Sequence, residues 1–457
     1  MTREVPPLPT YTRRSLELRA AKYYASIRKP EKEWKALADL APQLAEFEHQ
    51  MQAENYDDAL SVLSSIALSH LFVWGYYLLL VEKCEKLKER LNSPHLKTQT
   101  LQIMNVSYQC LGYWEKIVEL SGEAIVLARK TEDYDSESIW LGGLGRVYRI
   151  LGETQKAIVL LEKAILLAHK AGNLHTKASW VNNLGLIYSN IGQFEKALEL
   201  HQQALDISRE AYIRQEVGYS LGHIGYYYYV MGDFDLAIGY YQESLEISRE
   251  LVDRRSEGIR LYSLGCVYYA RGEIARAVEC HQSALSIMSD IHEQRWQSYA
   301  LLELGRIYLY NSDINNAIFH FTQARSSKLK DVACHALIML RICQLCQSHE
   351  VAHFIFDDCI LLAEELTVVL NHTYRAHHIL GTALVGRAVC DPRWIDPNQR
   401  TDLLAPALAE YRRALDITSA PGTVRDALHD LDLIRAAGIE GLEPVIGLLE
   451  GVLNEHS

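Results

Sequence analysis

The residues best equipped for chemistry cluster after position 340. His349, Glu350 and His353 spell H-E-x-x-H. On a helix this spacing sets two imidazoles on one face to hold zinc, with the glutamate as general base. Glu364 or Glu365 is the available third ligand. Cys343 and Cys346 form a C-x-x-C with His349 nearby, a second metal-ligand pattern. Gly142-Gly143-Leu144-Gly145 has the look of a phosphate loop, but it sits inside a helical segment and follows no strand. Each pattern also has a plainer explanation. Ala352 and Cys359 take the two small-residue positions of a helix described below, and His349 and His353 flank them. A lone C-x-x-C within a helix packs more often than it ligates. A zinc protease also needs a cleft and supporting partners for its ligands, and no other segment supplies them. The reading is therefore no catalytic residues, no metal and no cofactor. The zinc protease is kept as the competing class, which stoichiometric zinc lost on His349→Ala would favour.

Those patterns stand inside a stronger one. Leu144-Gly145, Leu184-Gly185, Ile224-Gly225, Leu264-Gly265 and Leu304-Gly305 recur at one spacing, about forty residues. A tyrosine follows each glycine at Tyr148, Tyr188, Tyr228, Tyr268 and Tyr308. Small residues return at Ala157, Ala197, Ala237, Ala277 and Ala317, then at Ala164, Ala204, Ser244, Ala284 and Ala324. A further glycine at 152, 192, 232 and 272 becomes Ser312 in the fifth copy. An earlier, weaker copy holds the same offsets at Tyr108, Gly112, Ile117 and Ala124. Small residues let two helices cross closely, and the large neighbours fill the flanks. The later glycine suits a helix C-terminus, where a left-handed residue ends the first helix. No unit buries its own apolar face, so neighbours must stack.

The pattern L-G-x2-Y, a small residue twelve after the glycine and another seven later, resembles the tetratricopeptide repeat. This unit is longer than the usual one by about six residues and lacks the usual proline closing its second helix. The resemblance implies an all-α fold, a right-handed solenoid of helix pairs, with protein or peptide binding as its work. Residues 1–97 read as degenerate helix pairs, 98–330 as an array of about six repeats, and 331–457 as degenerate repeats with a C-terminal helical cap from Thr423 to Leu453. Residues 11–50 read as helical, with a stripe at Trp34, Leu37, Leu40, Leu44 and Phe47. Asp391 to Pro397 reads as a loop. A broader resemblance runs over most of the chain. The stretch EKEWKALADLAPQLAEFEHQMQAENYDDALSVLSSI, the WGYY after it and the repeats are similar to the C-terminal sensor half of bacterial STAND-type NTPases. No G-x-x-x-x-G-K-[ST] is present, so that resemblance implies a sensor or adaptor working with a separate NTPase.

In such repeats the first helix lines the concave face. The inward positions give a groove of Arg146, Arg149, Asn182, Ser189, Tyr226, Tyr229, Tyr262, Tyr269, Arg306 and Tyr310. By the resemblance, Asn183 is placed to bond a peptide backbone. Tyrosine offers rigid contact area with a hydroxyl handle, and arginine a fork for carboxylates. The expected guest is a protein or peptide of acidic character. The Lys/Asn pattern that clamps chaperone tails is absent. His201 and His281 replace the large second-helix residue seen as Leu161, Tyr241 and Phe321, and read as buried core.

Composition narrows the rest. The 457 residues carry a net charge of -12, which disfavours nucleic acid. The longest apolar run, Leu71 to Val81, is too short to cross a bilayer, so no membrane partner is expected. The N-terminus, MTREVPPLPT, has no apolar core for a secretory signal. Nine cysteines without a framework suit a reducing, cytoplasmic setting.

Overall fold

The computed structural model describes residues 12–347, 353–369, 373–436 and 438–455. The described residues form helices and turns, without strands. They divide into two compact units. One runs up to Leu151 and takes in Gln155–Gly172; the other holds Gly152–Thr154 and everything from Asn173 onward.

The first unit contains α1 (Arg13–Ser26), α2 (Ala41–Gln52), α3 (Tyr56–Ile66), α4 (Tyr77–Lys88), α5 (Pro94–Leu111), α6 (Trp114–Lys130), α7 (Tyr134–Ile150) and most of α8 (Thr154–Lys170). The second contains α9 (Leu174–Asn190), α10 (Phe194–Glu210), α11 (Arg214–Met231), α12 (Phe234–Glu250), α13 (Arg254–Ala270), α14 (Ile274–Asp290), α15 (Gln294–Tyr310) and α16 (Ile314–Arg325). It continues through α17 (Lys330–Gln347), α18 (Asp357–Val369), α19 (Tyr374–Val389), α20 (Pro397–Ile417), α21 (Pro421–Ala436) and α22 (Glu443–Glu455). No helix among the described residues is long and apolar enough to cross a membrane.

Local sequence sets the boundaries. Asp133, Asn173, Asp233, Asp253 and Asp313 each accept a backbone N–H at a helix start, which satisfies one of its orphan donors. First helices end on left-handed residues at Gly152, Gly192, Gly232, Gly272 and Ser312. Second helices end on left-handed Glu132, Gly172, Tyr212, Val252 and His292. Only one of those five is glycine, so the others hold a strained backbone.

The glycine of each first helix meets the large residue of its second helix. A methyl group added at Gly145 would stand 3.0 Å from Leu161, at Gly185 2.6 Å from His201, and at Gly225 2.9 Å from Tyr241. The same holds at 2.7 Å for Gly265 and His281 and at 2.5 Å for Gly305 and Phe321. Ala157, Ala197, Ala237, Ala277 and Ala317 are buried beside these contacts. Two hydroxyls bind across the crossings: Ser138 donates to the Ala164 carbonyl at 2.7 Å, and Ser244 to the Gly218 carbonyl at 2.6 Å. A further pair repeats the device: Gly381 of α19 faces Tyr411 of α20, whose Ala407 and Ala414 are buried.

Three expectations change. Residues 11–50 are not one helical stripe. Pro30 ends the run, the chain turns through short 3-10 segments at Glu31–Glu33 and Leu37–Leu40, and Trp34 lies between them, its indole N–H on the Lys29 carbonyl at 2.9 Å. The Asp391–Pro397 loop contains a 3-10 turn, Pro392–Ile395, capped by Asp391. The segment expected to cap an open end instead packs α21 against α11, α15, α17 and α19, with α22 on α20 and α21.

Candidate functional site

Three successive first helices of the second unit, α11, α13 and α15, present the positions just after their glycines to one side. Tyr226 and Tyr229, Cys266 and Tyr269, and Arg306 with Tyr310 all border a single cavity of about 550 Å³. Tyr262, three residues before Gly265, joins them. α17 contributes His335, α19 contributes Tyr374, Arg375 and His378, and α21 closes the space with Asp426, His429 and Asp430.

Two surfaces of α21 explain its place. Val424, Ala427, Leu431 and Ile434 are fully or almost fully buried in the core of the second unit. The other side is polar and meets the wall of tyrosines. The Tyr229 hydroxyl donates to Asp426 Oδ1 at 3.1 Å, and the Tyr269 hydroxyl is hydrogen-bonded to His429 Nε2. Arg306 bridges Glu303 on its own helix at 3.0 Å and Asp430 at 2.9 Å, and His335 Nε2 sits 2.9 Å from the second Asp430 oxygen. At the helix start, Gly422 rests on α11: an added methyl would lie 2.8 Å from the Tyr229 carbonyl.

Burial governs the charges. It works against ionised Asp430, but Arg306 and His335 outweigh it and hold that carboxyl well below the usual range. Glu303 is likewise lowered against its burial, chiefly by Arg306 and His281. Asp426, with a hydroxyl as its partner, is pushed up to about 6 by burial. His378 and His429 are pushed down to about 4, again mainly by desolvation. Burial drives the Cys266 thiol well up. These shifts favour a protonated thiol at Cys266 and neutral imidazoles at His378 and His429. Among the described residues no group of three or more His, Cys, Asp or Glu is placed to hold a metal ion. His349 to Ala352 lie outside the described residues, as does the side chain of His353; Cys343 is buried and Cys346 half-buried in α17.

The groove expected from sequence is thus brought together in part. Tyr226, Tyr229, Tyr262, Tyr269, Arg306 and Tyr310 share the cavity. Asn182 and Ser189 are buried away from it. The Asn182 amide donates to Ser220 Oγ at 2.9 Å and its oxygen faces His201 Nδ1 at 3.0 Å. Asn183 spends its amide on the Ser179 carbonyl of its own helix at 2.8 Å, as side chains in helices often do. Arg146 and Arg149 belong to the first unit. Arg146 is exposed, though enough protein surrounds it for desolvation to lower its pKa, and Arg149 is half-buried. His201 and His281 are buried, pushed down to about 3 and about 4 by desolvation. Sequence reasoning missed Arg375, Asp426, His429 and Asp430. The available signal was the run Asp426, His429, Asp430 in a helix that also carries an apolar stripe at Val424, Ala427, Leu431 and Ile434.

Comparisons agree with this architecture. Residues 138–210, 176–250 and 216–290 match the tetratricopeptide repeat. Among solved structures, a Rap protein complexed with competence and sporulation factor is similar at TM-score 0.52 and 14% identity, covering 88% of this chain and 100% of that one. A STAND protein with a tetratricopeptide repeat sensor from Pyrococcus horikoshii gives 0.48 and 18%, covering 81% of this chain and 55% of that one. Aspartyl phosphate phosphatase F from Bacillus subtilis gives 0.47 and 14%, covering 70% and 95%. No curated protein sequence matches the chain. With tetratricopeptide sequence over residues 138–290 and helix pairs nested on glycine and alanine, that stretch of the chain is a tetratricopeptide repeat array.

Proposed function

We infer that this chain is a scaffold or sensor for a protein or peptide partner, with no catalysis of its own. One observation carries the reading: tyrosines and an arginine from three successive first helices converge on one recessed cavity. Such side chains give contact area at low entropic cost and a fork for carboxylates. The occupant of that wall in the folded chain supports an acidic guest, since α21 meets it through Asp426, His429 and Asp430. The non-catalytic part rests on the tetratricopeptide repeats of residues 138–290, a fold whose usual work is binding. Nine free cysteines favour a cytoplasmic setting.

The test places a photo-crosslinking residue at Tyr310, half-exposed at the cavity, and at Val252, exposed and outside its lining. Irradiation in extract of the native host should link Tyr310 to a discrete acidic segment that Val252 does not capture. The same products from both positions overturn the proposal. A regulatory role beside a separate NTPase is its narrower form; it requires the captured partner to hydrolyse nucleotide at a rate that this chain changes.

A further inference from the structure

The space between α21 and the wall of α11, α13 and α15 has the volume of a small-molecule site, about 550 Å³. A second helix does not fit beside α21. What the chamber recognises follows from its charges after internal pairing. Arg306 is ion-paired with Glu303 and Asp430, and Asp430 also with His335, although among the described residues Arg306 Nε and Asp430 Oδ1 have no hydrogen-bond partner of good geometry. Two groups remain. Asp426 receives a hydrogen bond from the Tyr229 hydroxyl, and among the described residues no cation lies in ion-pair range of it. Arg375 has its nearest carboxylate, Asp331, at 4.0 Å, and its guanidinium lies 5.0 Å from the Tyr299 ring centre. Its side chain is 39% exposed although its helix packs within the unit, because it borders the chamber.

A half-buried carboxylate and a half-buried guanidinium, neither held in a close ion pair, mark places where an opposite charge is stabilised. Tyr226, Tyr262 and Tyr374 line the same chamber, and their rings suit an apolar or aromatic body while their faces favour an ammonium. We propose that the chamber binds an amino-acid-like zwitterion, its carboxylate on Arg375 and its ammonium on Asp426. This rests on the reading of the cavity as the guest site and names the chemistry recognised there. Free amino acids and the free ends of very short peptides share that chemistry.

Isothermal titration of the full chain tests it. The probes are L-phenylalanine, L-tyrosine, phenethylamine (amine alone), 3-phenylpropionate (acid alone), and trialanine with free or blocked ends. At least one zwitterion should bind ten-fold or more tighter than the singly charged probes. Tight binding of the amino acids assigns the site to free amino acids, and tight binding of open trialanine alone assigns it to peptide ends. Asp426→Asn keeps the Tyr229 hydrogen bond and should lose the advantage conferred by the amine. Arg375→Gln should lose the advantage conferred by the carboxylate, and Arg375→Lys should recover part of it. Circular dichroism of each variant checks the fold. Absence of binding by every zwitterion, or equal binding by amine, acid and zwitterion, overturns the proposal. Crosslinking at Tyr310 is scored separately, so its success beside failed titrations removes the zwitterion and leaves the binding module standing.

Discussion

Replacing Arg306 by leucine is the sharpest test of how α21 is held. Arg306 is 6% exposed and stands between Glu303 and Asp430, themselves 7% and 4% exposed. The substitution leaves two buried carboxylates facing each other, with His335 alone as a compensating partner for Asp430. Breaking a buried ion pair from one side costs about 3–5 kcal/mol, and that is the expected loss at pH 7. The sign of its pH dependence follows. Without Arg306 both carboxyls have folded pKa values raised above their unfolded ones. The folded state then holds more protons than the unfolded one, from the raised values down to about 4. The variant recovers stability relative to the parent as pH falls through that window, and histidine effects common to both chains cancel. Adding Glu303→Leu should reduce the penalty, because one carboxylate disappears. Urea unfolding by circular dichroism at pH 7 and pH 5 measures the difference, and hydrogen exchange of the 421–436 segment reports α21 itself. The reasoning fails if the loss is under about 1 kcal/mol, the scale of an exposed pair. It also fails if the deficit widens at pH 5, or if exchange in α21 is unaltered.

Three further outcomes are expected. Ala237→Leu inserts a large side chain at a fully buried crossing and should destabilise by about 1–3 kcal/mol; an unchanged melting temperature would place that crossing elsewhere. Val252→Gly should stabilise by about 0.5–1 kcal/mol, since Val252 holds a φ of 55° while 77% exposed, and a loss of stability would show that its side chain contributes more than its strain costs. The second unit should weaken as pH falls from 7 to 5. His201, His281, His378 and His429 are held far below the ordinary 6.5, so the unfolded chain takes up protons first. Each such histidine loses about 2 kcal/mol by pH 5, while Asp426, pushed up to about 6, returns about 1 kcal/mol by the same linkage. Stability that holds level or rises on acidification, followed by urea midpoints, would contradict the burial of those rings.

The helix pairs were legible because their requirement is steric and repeated. Gly185 against His201 and Gly305 against Phe321 leave no room for a side chain, so the constraint is written at fixed positions. Caps such as Asp133 and Asp253 are equally local. The placement of α21 was not legible. Its contacts join residues such as Tyr229 and Asp426, 197 positions apart, and no local pattern encodes which distant wall a helix will meet. Tyr226 and Arg306 were recognisable as inward-facing from their offsets. Asn182 shares the offset of Tyr262 and Asn183 was placed by the family resemblance alone, yet their amides are consumed by Ser220 and by Ser179. The Gly381 and Tyr411 pair was hidden because a 3-10 turn lengthens the connection between its helices.

The separation between Tyr229 and Asp426 also sets an order of events during synthesis. At ribosomal speeds of about 5–20 residues per second, Asp426 emerges about 10–40 s after Tyr229. Neighbouring helix pairs nest through local contacts and need not wait for it. Once Arg306 has followed, the nascent chain carries Tyr229, Tyr269 and Arg306 with α21 still to come. The polar face of α21 is therefore the last part of the chamber wall to be made.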